Sequence, residues 1–159
     1  MRKFAGAGNF RVINGLTSHR KGSLTVNALG HILRYTLYLC KGGWALNSTE
    51  VAQMVVEVAS DKLAEDIVML DLRQVAPFAD YFVIMSAESS RQIEALEEDV
   101  TAALEEAGVN RFQREGTSAS GWVLLDFSDV IVHIFGPEER EYYALERRWS
   151  QAPQVVRIL

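Results

Sequence analysis

The sequence predicts an α/β domain: a mixed β-sheet of about five strands with helices packed on it, in the order α-β-β-α-β-β-β-α. Three observations carry this. Residues 67–72 (IVMLDL) and 80–86 (DYFVIMS) are nearly continuous apolar runs, as expected of strands covered on both faces. Ile93, Leu96, Val100 and Leu104 recur at helical spacing and define one buried stripe. Residues 122–127 and 130–135 are β-branched and apolar runs separated by Ser128-Asp129, which is turn chemistry.

The elements follow in order. Ser48 or Thr49 caps the first helix, with Glu50 in the first turn, where the helix dipole favours a carboxylate. Val51, Met54, Val55 and Val58 mark its apolar face, and it ends near Lys62-Leu63. After strand 67–72, a loop around Pro77 leads into strand 80–86. Ser89 or Ser90 caps the second helix and Gly108 terminates it. Glu94, Glu97, Glu98, Asp99, Glu105 and Glu106 cover its outside, a solvated face that also repels bare RNA. Residues 110–115 alternate and are polar, the pattern of a short or edge strand, and 116–121 (GTSASG) form a flexible loop. Past the hairpin, Gly136-Pro137 stops the strand and opens a short helix. Tyr142, Leu145 and Trp149 follow one face of it, with Tyr143, Glu146 and Arg147 elsewhere. The tail, 152–159, is compatible with packing back or with staying loose.

Composition narrows the class. A chain of 159 residues with 48% hydrophobic and 23% charged residues suits one ordinary globular domain. The one cysteine, Cys40, excludes an internal disulfide framework, and three scattered histidines (His19, His31, His133) form no ligand cluster. No apolar run approaches the roughly 20 residues that span a bilayer.

Charge is unevenly distributed. Residues 1–49 hold seven Lys/Arg and no acid, a net +7, whereas the remainder holds nine Lys/Arg against 21 Asp/Glu, a net −12. Residues 1–46 are therefore read as a basic N-terminal extension, ahead of a domain over 47–151. A transit peptide, a disordered arm touching RNA electrostatically, and upstream sequence preceding a later start near Leu46 all fit; the last is favoured.

W-V-L-L-D-F-S-D-V-I-V-H-I-F from Trp122, followed by R-E-Y-Y-A-L-E-R-R-W up to Trp149, resembles the Iojap-like family, also called ribosomal silencing factor RsfS. The similarity extends upstream through K-A-E-D-I-V and A-D-Y-F-V-I to S-S-R-Q, covering roughly residues 47–151. Ser128 is a mild departure from the family's usual glycine or similar small residue before the turn aspartate. The resemblance implies a nucleotidyltransferase-like fold without the catalytic apparatus. It also implies binding to the large ribosomal subunit at the universal ribosomal protein uL-fourteen, and steric exclusion of the small subunit, which represses translation. Organelle relatives are linked to large-subunit assembly. The implied compartment is the bacterial cytoplasm, or an organelle matrix if residues 1–46 are a transit peptide.

The residues themselves argue against an enzyme and against a cofactor or metal. Asp71, Asp80, Asp126 and Asp129 lie at strand ends, as magnesium-binding carboxylates do, but turn chemistry explains them more economically. After strand 80–86 the chain reads S-A-E-S-S, with no glycine to cradle phosphate and with Glu88 to repel it; Lys21-Gly22-Ser23 precedes any core strand. His133, a candidate base for Ser128 or Ser120, sits mid-strand, whereas catalytic groups favour strand ends and loops.

A partner-binding face is the remaining reading. Trp122, Tyr142, Tyr143 and Trp149 are candidate anchors, and Asp126, Asp129 and Glu146 are candidate acceptors for basic partner side chains. Trp122, Leu124 and Asp126 share one strand face, which His133 joins if the hairpin register allows. Tyr81 fits either this role or core packing. An acidic domain without a basic stripe suits a basic protein partner rather than direct nucleic acid contact. The short strand over 110–115 leaves an edge that a second copy could pair with, giving a homodimer. Residual nucleotidyltransferase activity and RNA-dependent large-subunit assembly are the rival readings.

Overall fold

In a computed structural model, residues 46–110 and 113–159 are described. The basic extension, the apolar run over 32–40, Cys40 and Lys21-Gly22-Ser23 lie outside them. The described elements are α1 (Ser48–Asp61), β1 (Glu65–Asp71), β2 (Tyr81–Ser86), α2 (Ser90–Glu106) and β3 (Gln113–Thr117). A 3-10 turn (Ser118–Ser120), β4 (Trp122–Asp126), β5 (Val130–Phe135), α3 (Pro137–Tyr143), α4 (Leu145–Arg148) and β6 (Gln154–Ile158) complete the chain.

The sheet is mixed, with strand order β3-β4-β5-β2-β1-β6. Only β2 and β5 run parallel; the other neighbouring pairs are antiparallel. The α/β class expected from the sequence is therefore observed, with six strands where about five were expected. The sixth comes from the tail, which pairs along β1. Its polar and apolar residues alternate weakly, so only the β1 edge shows that it is a strand.

Alternation sorts the sheet into two faces. Ile67, Met69, Val83, Met85, Val123, Leu125, Val132 and Ile134 are completely buried on the face carrying α1 and α2. Arg114, in register with Leu125, reaches Glu97 of α2 from that same side. The helices meet the sheet through the stripes read from sequence: Ile93, Leu96, Val100 and Leu104 on α2, and Val51, Met54, Val55 and Val58 on α1. Burying a side chain of this size contributes about 1.5–3 kcal/mol each, enough to outweigh weak β-branched helix propensity in α1.

Several boundaries differ from expectation. Asn47, rather than Ser48 or Thr49, caps α1: its side chain accepts from the Glu50 backbone N–H, and Glu50 returns the bond to the Asn47 N–H. This frees Ser48 to donate to Asp80 at 2.6 Å and lets Thr49 bond Tyr81 Oη at 2.9 Å. Tyr81 is thus a core residue, with Arg73 over its ring. Ser89 caps α2, and Gly108, at φ +83°, follows its end. Part of the GTSASG loop is ordered by Thr117, whose hydroxyl accepts from the Ser120 N–H. The helix expected after Pro137 is broken at Ala144, which takes a left-handed conformation, so Tyr142 and Trp149 do not share one continuous helical face.

Candidate functional site: an aromatic sheet face

The sheet face opposite α1 and α2 is lined by Val68, Leu70, Phe82, Ile84 and Phe135, which form one buried cluster with Leu72, Ala79 and Ala152. Its cover is thin: Val75 and Ala76 of the β1–β2 loop, Trp122, Ile131, Leu145 and Trp149. The aromatic side chains here form one chain of contacts. Trp122 stacks on Phe135 at 5.0 Å and meets Tyr143 at 4.5 Å, while Trp149 meets Phe82 at 5.4 Å and Phe78 at 5.8 Å. Phe82 meets His133 edge-on at 4.8 Å, which joins the two halves. Tyr142, 82% exposed, projects beyond them, and Phe78 and Tyr143 are also exposed.

Hairpin register decides who meets whom. Trp122 stands opposite Phe135, Leu124 opposite His133 and Asp126 opposite Ile131, so His133 does share the Trp122 face. Trp122 Nε1 donates to His133 Nδ1 at 3.4 Å. His133 is only 4% exposed; burial, and secondarily the positive charge of Arg140, pushes its pKa down to about 3. It is a neutral support for Trp122 from below.

The turn that sets this register holds a strained serine at 128. Ser128 adopts φ +73°, a conformation in which a side chain is strained, and Asp126 Oδ1 accepts its N–H at 2.7 Å. Glycine enters this conformation freely.

The candidate acceptors are dispersed. Asp126 is occupied with Ser128 and stands four residues along β4 from Trp122, about 13 Å away. Asp129 lies beside Leu46, Ser48, Val109 and Phe127 in a cleft at the start of α1, away from the aromatic chain. Glu146 is paired with Arg140, whose side chain is buried and also donates to Ser86 Oγ at 3.2 Å and the Asp66 carbonyl at 2.9 Å. Asp66 sits at a bulge in β1 with φ +42° and also pairs with Arg157 of β6. Arg140 thereby ties α3 and α4 to the ends of β1 and β2.

The carboxylates weighed for metal chemistry have local partners. Asp71 accepts twice from the Arg73 side chain, at 2.9 and 2.5 Å, which lowers its pKa. Asp80 accepts from Ser48. Among the described residues no group of three His, Cys, Asp or Glu is placed to hold a metal ion, and no helix there is long and apolar enough to cross a membrane.

Sequence reasoning passed over Phe78, Phe82, Phe135 and Arg140. The period-two spacing of His133 and Phe135 was a usable signal for one of them; Arg140, in a helix of charged residues, carried none.

Residues 45–158 match the family described as "Ribosomal silencing factor during starvation". The ribosomal silencing factor RsfS of Halalkalibacterium halodurans is 36% identical over 110 residues, 69% of this chain and 94% of that protein. A mouse protein named for mitochondrial assembly of the ribosomal large subunit is 29% identical over 100 residues, 61% of this chain and 44% of its own length. A crystal structure of a Chromobacterium violaceum protein superposes with a TM-score of 0.64 at 32% identity, covering 66% of this chain and 88% of that one.

Proposed function

Because the chain belongs to the family of ribosomal silencing factors, we propose that it binds the large ribosomal subunit through its aromatic sheet face and, while bound, sterically keeps the small subunit from joining. The contact on the subunit is ribosomal protein uL-fourteen, as the resemblance implies, and the outcome is repression of translation. The action is occupancy rather than catalysis.

The observation that carries this reading is the row Phe78, Tyr142, Tyr143, Trp122 and Trp149 on a sheet face that the long helices leave uncovered. Trp and Tyr dominate binding energy at protein interfaces when they are held rigid at the centre of a patch. Here they are held, by Phe135, Phe82 and His133 beneath them. The net −12 of residues 50–159 favours a basic protein over bare RNA, since complementary charge speeds encounter and like charge opposes it. The open β3 edge also suits pairing with a second copy, which sedimentation velocity over a concentration series tests.

The experiment is co-sedimentation of the full chain with purified large subunits, followed by addition of small subunits and separation on a gradient. The expected result is binding, a reduced yield of joined ribosomes, and loss of both effects in Trp122→Ala. Binding with undiminished joining would reject the steric mechanism, and absence of binding would reject the whole reading.

A further inference from the structure

Beside Trp122 the aromatic face dips into an open cavity of about 280 Å³, lined by Glu115, Gly116, Ser120, Trp122, Leu124 and Tyr143. Its wall is aromatic, with the Trp122 and Tyr143 rings 4.5 Å apart at a 45° tilt. Its rim is acidic. Glu115 lies in β3, the outermost strand on this side, directly opposite Leu124, so its carboxylate stands on the Trp122 face. Gln113 Nε2 donates to it at 2.8 Å and holds it in place.

No cation among the described residues pairs with Glu115. Arg114, next to it, points to the other face, where Glu97 takes its guanidinium at 2.5 and 2.8 Å. At its edge Gly116 has φ +81° and approaches β4 so closely that a Cβ there would run into the Trp122 carbonyl oxygen. Ser120 does not compete for the carboxylate either, because its hydroxyl donates to the Thr117 carbonyl at 2.7 Å.

An apolar, aromatic slot whose mouth carries a carboxylate unpaired with any cation among the described residues suits a cationic side chain. We infer that it receives an arginine of the basic protein partner, the guanidinium lying against Trp122 and Tyr143 and donating to Glu115. Arginine fits better than lysine because its planar head stacks on aromatic faces and donates in a fork to a carboxylate. A phosphate is excluded, since Glu115 would repel it. This inference rests on the proposed binding face and adds to it a specificity contact at Glu115, beside the Trp122 and Tyr143 anchors.

The test compares the affinity of the full chain and its Glu115→Gln, Glu115→Lys and Trp122→Ala variants for purified large subunits over a salt series. Glu115 is exposed, so the two Glu115 variants fold, and unchanged thermal melting verifies it. Glu115→Gln is expected to weaken binding roughly tenfold and to flatten its salt dependence, and Glu115→Lys to weaken it further. If both Glu115 variants bind as the parent does while Trp122→Ala fails, the slot is empty in the complex and the inference falls, with the binding face intact. If Glu115→Lys binds more tightly, the slot faces phosphate and RNA is the neighbour, which also overturns it. If the parent does not bind, the binding face and the slot fall together.

Discussion

Trp122 donates its indole N–H to Nδ1 of His133 across 3.4 Å, so the anchor on β4 is oriented by a buried imidazole on β5. That bond leaves the histidine proton on Nε2, which has no partner among the described residues. The imidazole is thus neutral, enclosed by Phe82, Trp122 and Phe135.

Acid should expose this arrangement. His133 titrates near 6.5 in an unfolded chain and at about 3 when folded, so between those values only the unfolded chain takes the proton. Its contribution is complete above about pH 6.5 and falls as pH drops toward 3, by at most about 1.4 kcal/mol per pH unit. Urea denaturation at about pH 7 and about pH 4.5 should show a larger loss for the parent chain than for His133→Phe. Equal losses would contradict the burial of a neutral imidazole.

Tyr142 and Tyr143 are neighbours with different duties. Tyr142 is 82% exposed, so Tyr142→Ala is expected to change stability by less than about 0.5 kcal/mol while weakening large-subunit binding at least about tenfold. Tyr143 packs on Trp122, so Tyr143→Ala should also cost about 1 kcal/mol of stability. Denaturation midpoints and subunit affinities for the two variants separate these outcomes.

Removing Arg140 leaves the Glu146 carboxylate and the Asp66 carbonyl without their donor. Arg140→Met is expected to destabilise by about 2–3 kcal/mol, below the usual figure for a fully buried pair because Glu146 and Asp66 are about a third exposed. Arg140→Met with Glu146→Leu should cost less than the two single changes summed, because the pair is coupled. A double-mutant cycle by urea denaturation measures this; additivity would mean the pair contributes nothing.

Two glycines with similar φ should respond differently to alanine. Gly108→Ala meets nothing within 4 Å and costs about 1 kcal/mol, the conformational penalty alone. Gly116→Ala adds a clash with the Trp122 backbone and should cost at least about 2 kcal/mol more, unpairing β3 from β4. Thermal denaturation and amide exchange in β3 report both.

The helix stripes were legible because the burial they record is local: Ile93, Leu96, Val100 and Leu104 repeat at the helical period whatever lies opposite. The hairpin was legible because Ser128-Asp129 is a turn between two apolar runs. The break at Ala144 was not, since alanine favours helix and the tie of Arg140 to Glu146 and Asp66 that spans the turn reaches a residue far back in the chain. The aromatic site was half legible: Trp122, Tyr142, Tyr143 and Trp149 stand out by type, but Phe82 and Phe78 join them from far along the chain.

By itself the sequence determined the element types from the first helix to the 122–135 hairpin, the two helix faces and the family, because period, turn chemistry and motif order are properties of neighbours along the chain. Tertiary structure alone decided the strand order, the sixth strand and the partners of each charge. Those depend on contacts between distant residues, such as Arg157 with Asp66 or Glu97 with Arg114, whose energies no local pattern encodes.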